Sequence, residues 1–209
     1  MNNQENIWDI EYLQNKNKWH KETIELPNIC KGKKVLELGV GNGKTLKGIL
    51  NQNPKGVTAI DFSQEAINIV NSNNSFKKVR FIKSDVRELP FKDKSFDIVF
   101  VYFTLNNLLR KDRPIAVKEI YRVLNKTGKV LFQDFAEGDF RESNNNPKLV
   151  EKNTIMNKKG LICHFFTKKE LSNLFKDFSI KRISIKTTKP IINKGHIKRK
   201  TISGFFNKA

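Results

Sequence analysis

The feature that most constrains this sequence is an alternation of short apolar runs and amphipathic stretches from residue 34 to residue 135, with a glycine cluster directly after the first run. Lys34-Val35-Leu36-Glu37-Leu38 reads as a strand. Gly39-Val40-Gly41-Asn42-Gly43 reads as a tight turn, and 44–50 as a helix. Residues 57–61 give a second strand, followed by Ser63 as the N-cap of a helix carrying Ala66, Ile67, Ile69 and Val70. Residues 79–83 give a third strand and 96–103 a fourth, the latter almost wholly apolar, as a strand covered on both faces must be. A helix over 114–124 and a strand over 128–132 complete the series. Strict β/α alternation predicts a parallel sheet with right-handed crossovers.

Beyond residue 135 the pattern changes. Residues 136–160 have turn composition and little periodicity, which predicts a long loop rather than a second domain. Thr167-Lys168-Lys169-Glu170 is a capping box opening a helix with Leu171, Leu174 and Phe175 on one side. Two strands over 179–187 and 197–206 are close enough in sequence to form a hairpin. A chain of 209 residues with 38% apolar residues has room for one domain and a substantial core. The expected organisation is an N-terminal helical lid segment over 1–32 and a single domain over 33–209. That domain divides into a core at 33–135, a substrate-side loop at 136–166, and a helix plus hairpin at 167–209.

The net charge of +19 is unevenly spread. Residues 1–150 hold 25 basic and 18 acidic residues, whereas 151–209 hold 15 basic and 3 acidic ones. This basic C-terminal region suits a phosphate-bearing partner, although 32 of the 40 positive residues are lysine, which also fits a general compositional bias. No run approaches 18 apolar residues, and the polar, Asn-rich start lacks the pattern of a signal peptide, so a cytoplasmic protein with no membrane partner is expected. Cys30 and Cys163 form neither a disulfide framework nor a C-x-x-C metal pair, and no metal site is expected.

In an open parallel sheet, ligands sit beyond the carboxyl ends of the strands. Gly39, Gly41 and Gly43 lie there after the first strand, with Glu37 two residues before them. Alone, this turn is also compatible with a dinucleotide site. Asp61 ends the second strand, where a carboxylate can accept from two ribose hydroxyls, and Asp85 follows the third, where an acceptor can meet an adenine amine.

Five segments taken in order resemble the motifs of the class I S-adenosylmethionine-dependent methyltransferases. They are Val35 to Gly43, Ala59-Ile60-Asp61-Phe62-Ser63, Ser84-Asp85-Val86-Arg87-Glu88-Leu89-Pro90-Phe91, Ser95-Phe96-Asp97-Ile98-Val99, and Glu119 to Gly128. The resemblance implies an α/β fold with a doubly wound, seven-stranded, mostly parallel sheet whose last strand is antiparallel (Rossmann-like). It implies S-adenosylmethionine as cofactor and S-adenosylhomocysteine as product. Gly39, Gly41 and Gly43 would pack on the methionine part, with Glu37 organising the loop. Asp61 would hold the ribose, and Phe62 would cover the adenine. Asp85 and Val86 would read the adenine edge, with Phe103 at the end of the fourth strand also at the cofactor. Lys126-Thr127-Gly128 stands where the family often has Pro-Gly-Gly, and Asn106 and Asn107 stand where it often has histidines.

A sulfonium methyl leaves by in-line displacement, so positioning supplies much of the acceleration, and a base is needed only where the acceptor must lose its proton early. Asn107 can orient an acceptor but cannot serve as a base. His164, before the helix at 167, is the candidate acceptor-site residue or base, with a packed or capping histidine as the other reading. Trp8 to Tyr12 and Trp19-His20 could form a lid. No Asn/Asp-Pro-Pro-Tyr/Phe tetrad follows the fourth strand, which argues against amino methylation of a flipped base. The first reading is a small-molecule acceptor. The alternative is RNA, such as tRNA, met by Lys186, Lys189, Lys194, Lys198, Arg199 and Lys200 around the hairpin. A non-catalytic cofactor-binding protein is a third reading.

Overall fold

The computed structural model describes residues 3–15, 26–143, 147–188 and 198–209. Helix α1 spans Asn3–Asn15. Strand β1 (Lys34–Leu38) is followed by α2 (Leu46–Leu50), β2 (Gly56–Asp61), α3 (Gln64–Asn71), β3 (Val79–Lys83) and β4 (Phe96–Tyr102). Then come α4 (Arg113–Val123), β5 (Leu124–Phe135), β6 (Lys148–Glu151), β7 (Thr154–Met156), β8 (Ile162–His164), α5 (Lys168–Leu174), β9 (Phe178–Thr188) and β10 (Arg199–Lys208).

The main sheet has seven strands in the order β3-β2-β1-β4-β5-β10-β9. Strands β1 to β5 pair in parallel, whereas β10 is antiparallel to both β5 and β9, so β9 runs with the first five. The expected doubly wound sheet with one antiparallel last strand is therefore present. Strand order reverses between β1 and β4, which places the ligand crevice beyond their carboxyl ends.

Alternation along the strands explains the two-layered core. Leu36, Leu38, Val99, Val101, Val130 and Phe132 face α4 and α5, where Ala116, Ile120, Leu171 and Phe175 are buried. Their sequence neighbours Val35, Ile98, Phe100 and Leu131 face the opposite way, toward Leu46 and Ile49 of α2 and Ile67 and Val70 of α3. The central strands β1 and β4 thus bury both faces, and their apolar runs are continuous for that reason, whereas the edge strands β3 and β9 are largely exposed or half-buried. Two helices start where their caps predict. Ser63 accepts from the Ala66 N–H, and Thr167 accepts from the Glu170 N–H, each bond worth about 1 kcal/mol.

The segment 136–160 differs from expectation. Its second half, together with Ile162–His164, builds a small antiparallel sheet of order β6-β7-β8. Strands of three or four residues are too short to show alternation. The helix after the glycine turn is also shorter than its pattern, five residues from Leu46. Lys189 and Lys194 of the hairpin, and Trp19 and His20 of the N-terminal segment, lie outside the described residues. Among the described residues no helix is long and apolar enough to cross a membrane.

Candidate functional site

Four strand ends and one helix converge on a single cleft. Gly39 follows β1, Asp61 ends β2, Asp85 and Val86 follow β3, and Phe103 and Thr104 follow β4. Gln4, Trp8 and Tyr12 of α1 close it from one side and Ile162 of β8 from another. The cleft opens partly to solvent, and its space, that open solvent included, is about 870 Å³.

The glycine turn is shaped for close approach. Gly39 has φ +67°, and a Cβ built there would lie 2.6 Å from Thr104 Oγ1, which itself donates to the Leu38 carbonyl at 2.8 Å. Gly41 also has positive φ, and its missing Cβ would stand 3.0 Å from the Tyr12 hydroxyl oxygen. Gly43 sits farther back, against Phe76.

Asp61 ties this turn to the next one. Its Oδ2 accepts from the Gly41 N–H at 2.9 Å and its Oδ1 from the Ser63 N–H at 3.0 Å. Burial pushes its carboxyl up to about 6 against those hydrogen bonds. Burial, then the Asp61 charge, also pushes the Tyr12 phenol up. Glu37 lies beneath the loop rather than in the cleft, 2% exposed. Burial drives its carboxyl up to about 8, opposed by a hydrogen bond with Thr45, and its Oε2 has no hydrogen-bond partner among the described residues.

Asp85 is held by its neighbour two residues on. Its Oδ1 accepts from the Arg87 N–H at 2.8 Å and from Arg87 Nε at 3.0 Å, and its Oδ2 accepts from Arg87 Nη2 at 2.5 Å. Burial pushes this carboxyl up, but the Arg87 bonds and charge bring it below its ordinary value. Arg87 also reaches Asp112 at 3.4 Å, and both residues line the cleft. Phe62 and Val86 line it as well.

At the far end, Phe103 takes φ +52°, a left-handed conformation unusual outside glycine, and its N–H donates to the Gln133 carbonyl at 2.7 Å. Asn107 lines the cleft and donates from Nδ2 to the Phe103 carbonyl at 3.2 Å. Asn106 turns away. Its N–H donates to Asp134 Oδ2 at 3.0 Å, and its Nδ2 lies 3.8 Å from Cys163 Sγ.

His164 does not join this site. It is 1% exposed, with Nδ1 2.8 Å from Thr154 Oγ1 and Nε2 2.9 Å from the Glu170 carboxylate. Glu170 in turn lies 3.5 Å from Arg113. The role of acceptor-site base is therefore withdrawn for His164: both ring nitrogens are spent joining the small sheet to α5. Sequence reasoning also missed Thr104, Arg87 and Ile162. Thr104 carried a signal, since it follows Phe103 at a strand end. Ile162 carried none, because the strand that places it was read as loop.

Helix α1 is fastened on both flanks. Asp9 Oδ1 accepts from the Ser63 hydroxyl and from the Glu65 N–H, and Glu5 pairs with Lys83 at 2.7 Å. Toward the small sheet, Gln4 Nε2 donates to the Gly160 carbonyl at 2.7 Å and Gln4 Oε1 accepts from the Ile162 N–H at 3.3 Å. Glu11 pairs there with Lys159.

The buried carboxyls give stability a pH dependence. Glu37 titrates at about 8 in the folded chain against an ordinary 4.5, so its contribution is full below pH 4.5 and is lost as pH rises through 8. Asp61 acts in the same direction, from 3.8 to about 6. Between pH 6 and pH 9 the Glu37 effect should reach about 2 kcal/mol, after allowance for relaxation around the buried charge. Thermal melts of Glu37→Gln are expected to fall less over that range than those of the unsubstituted chain. Parallel curves would show that Glu37 is already ionised at pH 6.

Comparison with known proteins fits this geometry. Residues 36–132 match a family model described as a methyltransferase domain. The chain is 28% identical over 187 residues to O-methyltransferase 3 of Dictyostelium discoideum, covering 84% of this chain and 43% of that protein. It is 27% identical over 169 residues to a tRNA N(3)-cytidine methyltransferase of Gallus gallus, covering 76% of this chain and 46% of the relative. The chain thus spans less than half the length of these two curated relatives. A SAM-dependent methyltransferase structure from Methanosarcina mazei superposes with a TM-score of 0.72 at 22% identity, covering 88% of this chain and 99% of that one, a likeness of fold.

Proposed function

We propose that this chain is a class I S-adenosylmethionine-dependent methyltransferase, a reading supported by the match of residues 36–132 to a methyltransferase-domain model, and that it binds S-adenosylmethionine in the cleft and transfers the methyl group to a small molecule. The residues present fit that cofactor. Gly39, Asp61 and Asp85 all line the cleft, Gly39 without a side chain that could intrude into it. The bound cofactor supplies an electrophilic sulfonium methyl.

Each role follows from chemistry at a named atom. The Asp61 oxygens accept from the Ser63, Gly41 and Phe62 backbone N–H groups, and a remaining lone pair would take a ribose hydroxyl. Asp85, kept ionised by Arg87, offers an acceptor to the adenine amine, and Phe62 and Val86 supply apolar walls. Gly39 admits the methionine part. The Asn107 amide, fixed by its bond to the Phe103 carbonyl, orients the acceptor without taking its proton. With His164 sequestered, an acceptor that is already nucleophilic at neutral pH fits best.

One observation carries the choice of a small acceptor. Gln4 of α1 is bonded to Gly160 and Ile162, so helix and small sheet meet over the cleft that both line. A macromolecule would have to part them. The RNA reading draws on the relative that acts on tRNA and on exposed Lys186 and Lys198 at the ends of β9 and β10. Incubation with methyl-tritiated S-adenosylmethionine and a cell extract, then separation by size, distinguishes the two. Label is expected in a low-mass product that separates chromatographically from S-adenosylmethionine itself. Label in nuclease-sensitive RNA would overturn the small-molecule reading.

A further inference from the structure

The arginine two residues past Asp85 engages that carboxylate more fully than a simple ion pair would. Arg87 Nε lies 3.0 Å from Oδ1 and 3.1 Å from Oδ2, Nη2 lies 2.5 Å from Oδ2, and the Arg87 backbone N–H donates to Oδ1 at 2.8 Å. The remaining arm of the guanidinium, Nη1, stands 3.4 Å from Oδ1 of Asp112, the residue that precedes α4. Asp85, Arg87 and Asp112 all line the cleft, so one side chain ties the loop after β3 to the start of α4 across part of its wall.

An ionised carboxylate has about four lone-pair positions and no donor. The backbone N–H, Nε and Nη2 of Arg87 take up three of them, which leaves Asp85 about one position for a ligand in the cleft. A group that accepts once and cannot donate matches the exocyclic amine of adenine. It opposes hypoxanthine, whose carbonyl oxygen would meet the carboxylate lone pair against lone pair. That selection holds only while Asp85 is ionised, because a protonated carboxyl donates and would accommodate the carbonyl. Burial pushes the Asp85 carboxyl up, and the hydrogen bonds and charge of Arg87 bring it below its ordinary value. The other charged groups lining the cleft, among the described residues, are Asp112 before α4 and Asp61 at the end of β2, and Lys83 of β3 is paired with Glu5 of α1.

We infer that Arg87 determines which nucleobase the cleft accepts: by gripping Asp85 and bracing against Asp112, it fixes the carboxylate as a single acceptor that selects a 6-amino purine over a 6-oxo purine. This rests on the reading of the cleft as a site for S-adenosylmethionine. Arg87 acts through Asp85 and is a positioning residue. Its planar fork sets both the direction and the ionisation of the carboxylate, which a lysine could do only in part.

Calorimetric titration of the full chain compares S-adenosylhomocysteine with S-inosylhomocysteine, which carries a carbonyl in place of the amine, at pH 8 and at pH 5. Both ligands share the ribose, so titration of Asp61 affects them alike and cancels in the ratio of their affinities. The unsubstituted chain is expected to prefer the adenine ligand by about tenfold or more at both pH values. In Arg87→Gln the burial of Asp85 is no longer opposed and its carboxyl protonates as the pH falls, so the preference should drop below about threefold at pH 5. Arg87→Lys, which keeps the charge but not the fork, should fall between the two. No preference in the unsubstituted chain, or a ratio that neither substitution changes, would overturn the inference. Loss of both ligands by the same factor in both variants would overturn it as well, since Arg87 would then support the loop without selecting the base. Failure of S-adenosylhomocysteine to bind the unsubstituted chain would instead defeat the cofactor reading, and this inference with it.

Discussion

Replacing Asp61 by alanine is expected to weaken binding of S-adenosylmethionine at least 100-fold. The substitution removes the acceptor for two backbone N–H groups, Gly41 and Ser63, and for the ribose hydroxyls. The unpaired donors cost stability at about 1–3 kcal/mol each, whereas the lost hydrogen bonds from the ribose to a charged group, worth about 1.5–3 kcal/mol each, together with loosening of the turn that Asp61 ties down, correspond to about two powers of ten in affinity. Asp61→Asn separates binding from folding. The amide keeps one acceptor but sets its NH2 against one of the two backbone N–H groups, so Asp61→Asn should lower the melting temperature less than Asp61→Ala does while still weakening the cofactor. Calorimetric titration of both variants checks this. Affinity unchanged in Asp61→Ala would place the ribose elsewhere.

The second large effect belongs to Gly39→Ala. Two penalties add at this position. A left-handed φ costs a non-glycine residue about 1–2 kcal/mol, and overpacking against Thr104 Oγ1 costs about 1–3 kcal/mol more. Thr104 cannot yield cheaply, because its hydroxyl is bonded to the Leu38 carbonyl in the buried end of β1. The variant is expected to lose about 2–4 kcal/mol of stability and to bind the cofactor too weakly to measure. Gly32→Ala is the matched control, with the same φ of +67° and nothing within 4 Å of the added Cβ. It should lose about 1–2 kcal/mol and keep its affinity. Equal losses in the two variants would mean that Thr104 moves aside.

Much of this architecture could be read from the chain, for physical reasons visible in particular residues. β4 was legible because Ile98, Val99, Phe100 and Val101 are all buried, so its apolar run has no gap. Asp61 and the glycines were legible because they punctuate strand ends, where local backbone chemistry restricts residue type. Asp85 was legible by position, but its tight embrace by Arg87 depends on side-chain rotamers that no periodicity encodes. The small sheet was illegible because Leu149 and Val150 of β6 are exposed while Thr154 and His164 are buried, the reverse of their polarity. His164 misled for the same reason. Its burial is sustained by Thr154 and Glu170, one from a strand unseen in the sequence and the other from the following helix.

Charge offered less than its size suggested. The basic excess concentrates after residue 150, yet among the described residues the cleft is lined by Asp61, Asp85 and Asp112 against a single cation, Arg87. A site of that character suits a cationic sulfonium cofactor with a neutral nucleoside.

The most direct test of the account is calorimetric titration of the full chain with S-adenosylhomocysteine. The cleft built by Gly39, Asp61 and Asp85 predicts one molecule bound per chain, with affinity that falls sharply in Asp61→Asn although the variant stays folded. Absence of binding to the folded, unsubstituted chain, or binding indifferent to Asp61, would contradict it.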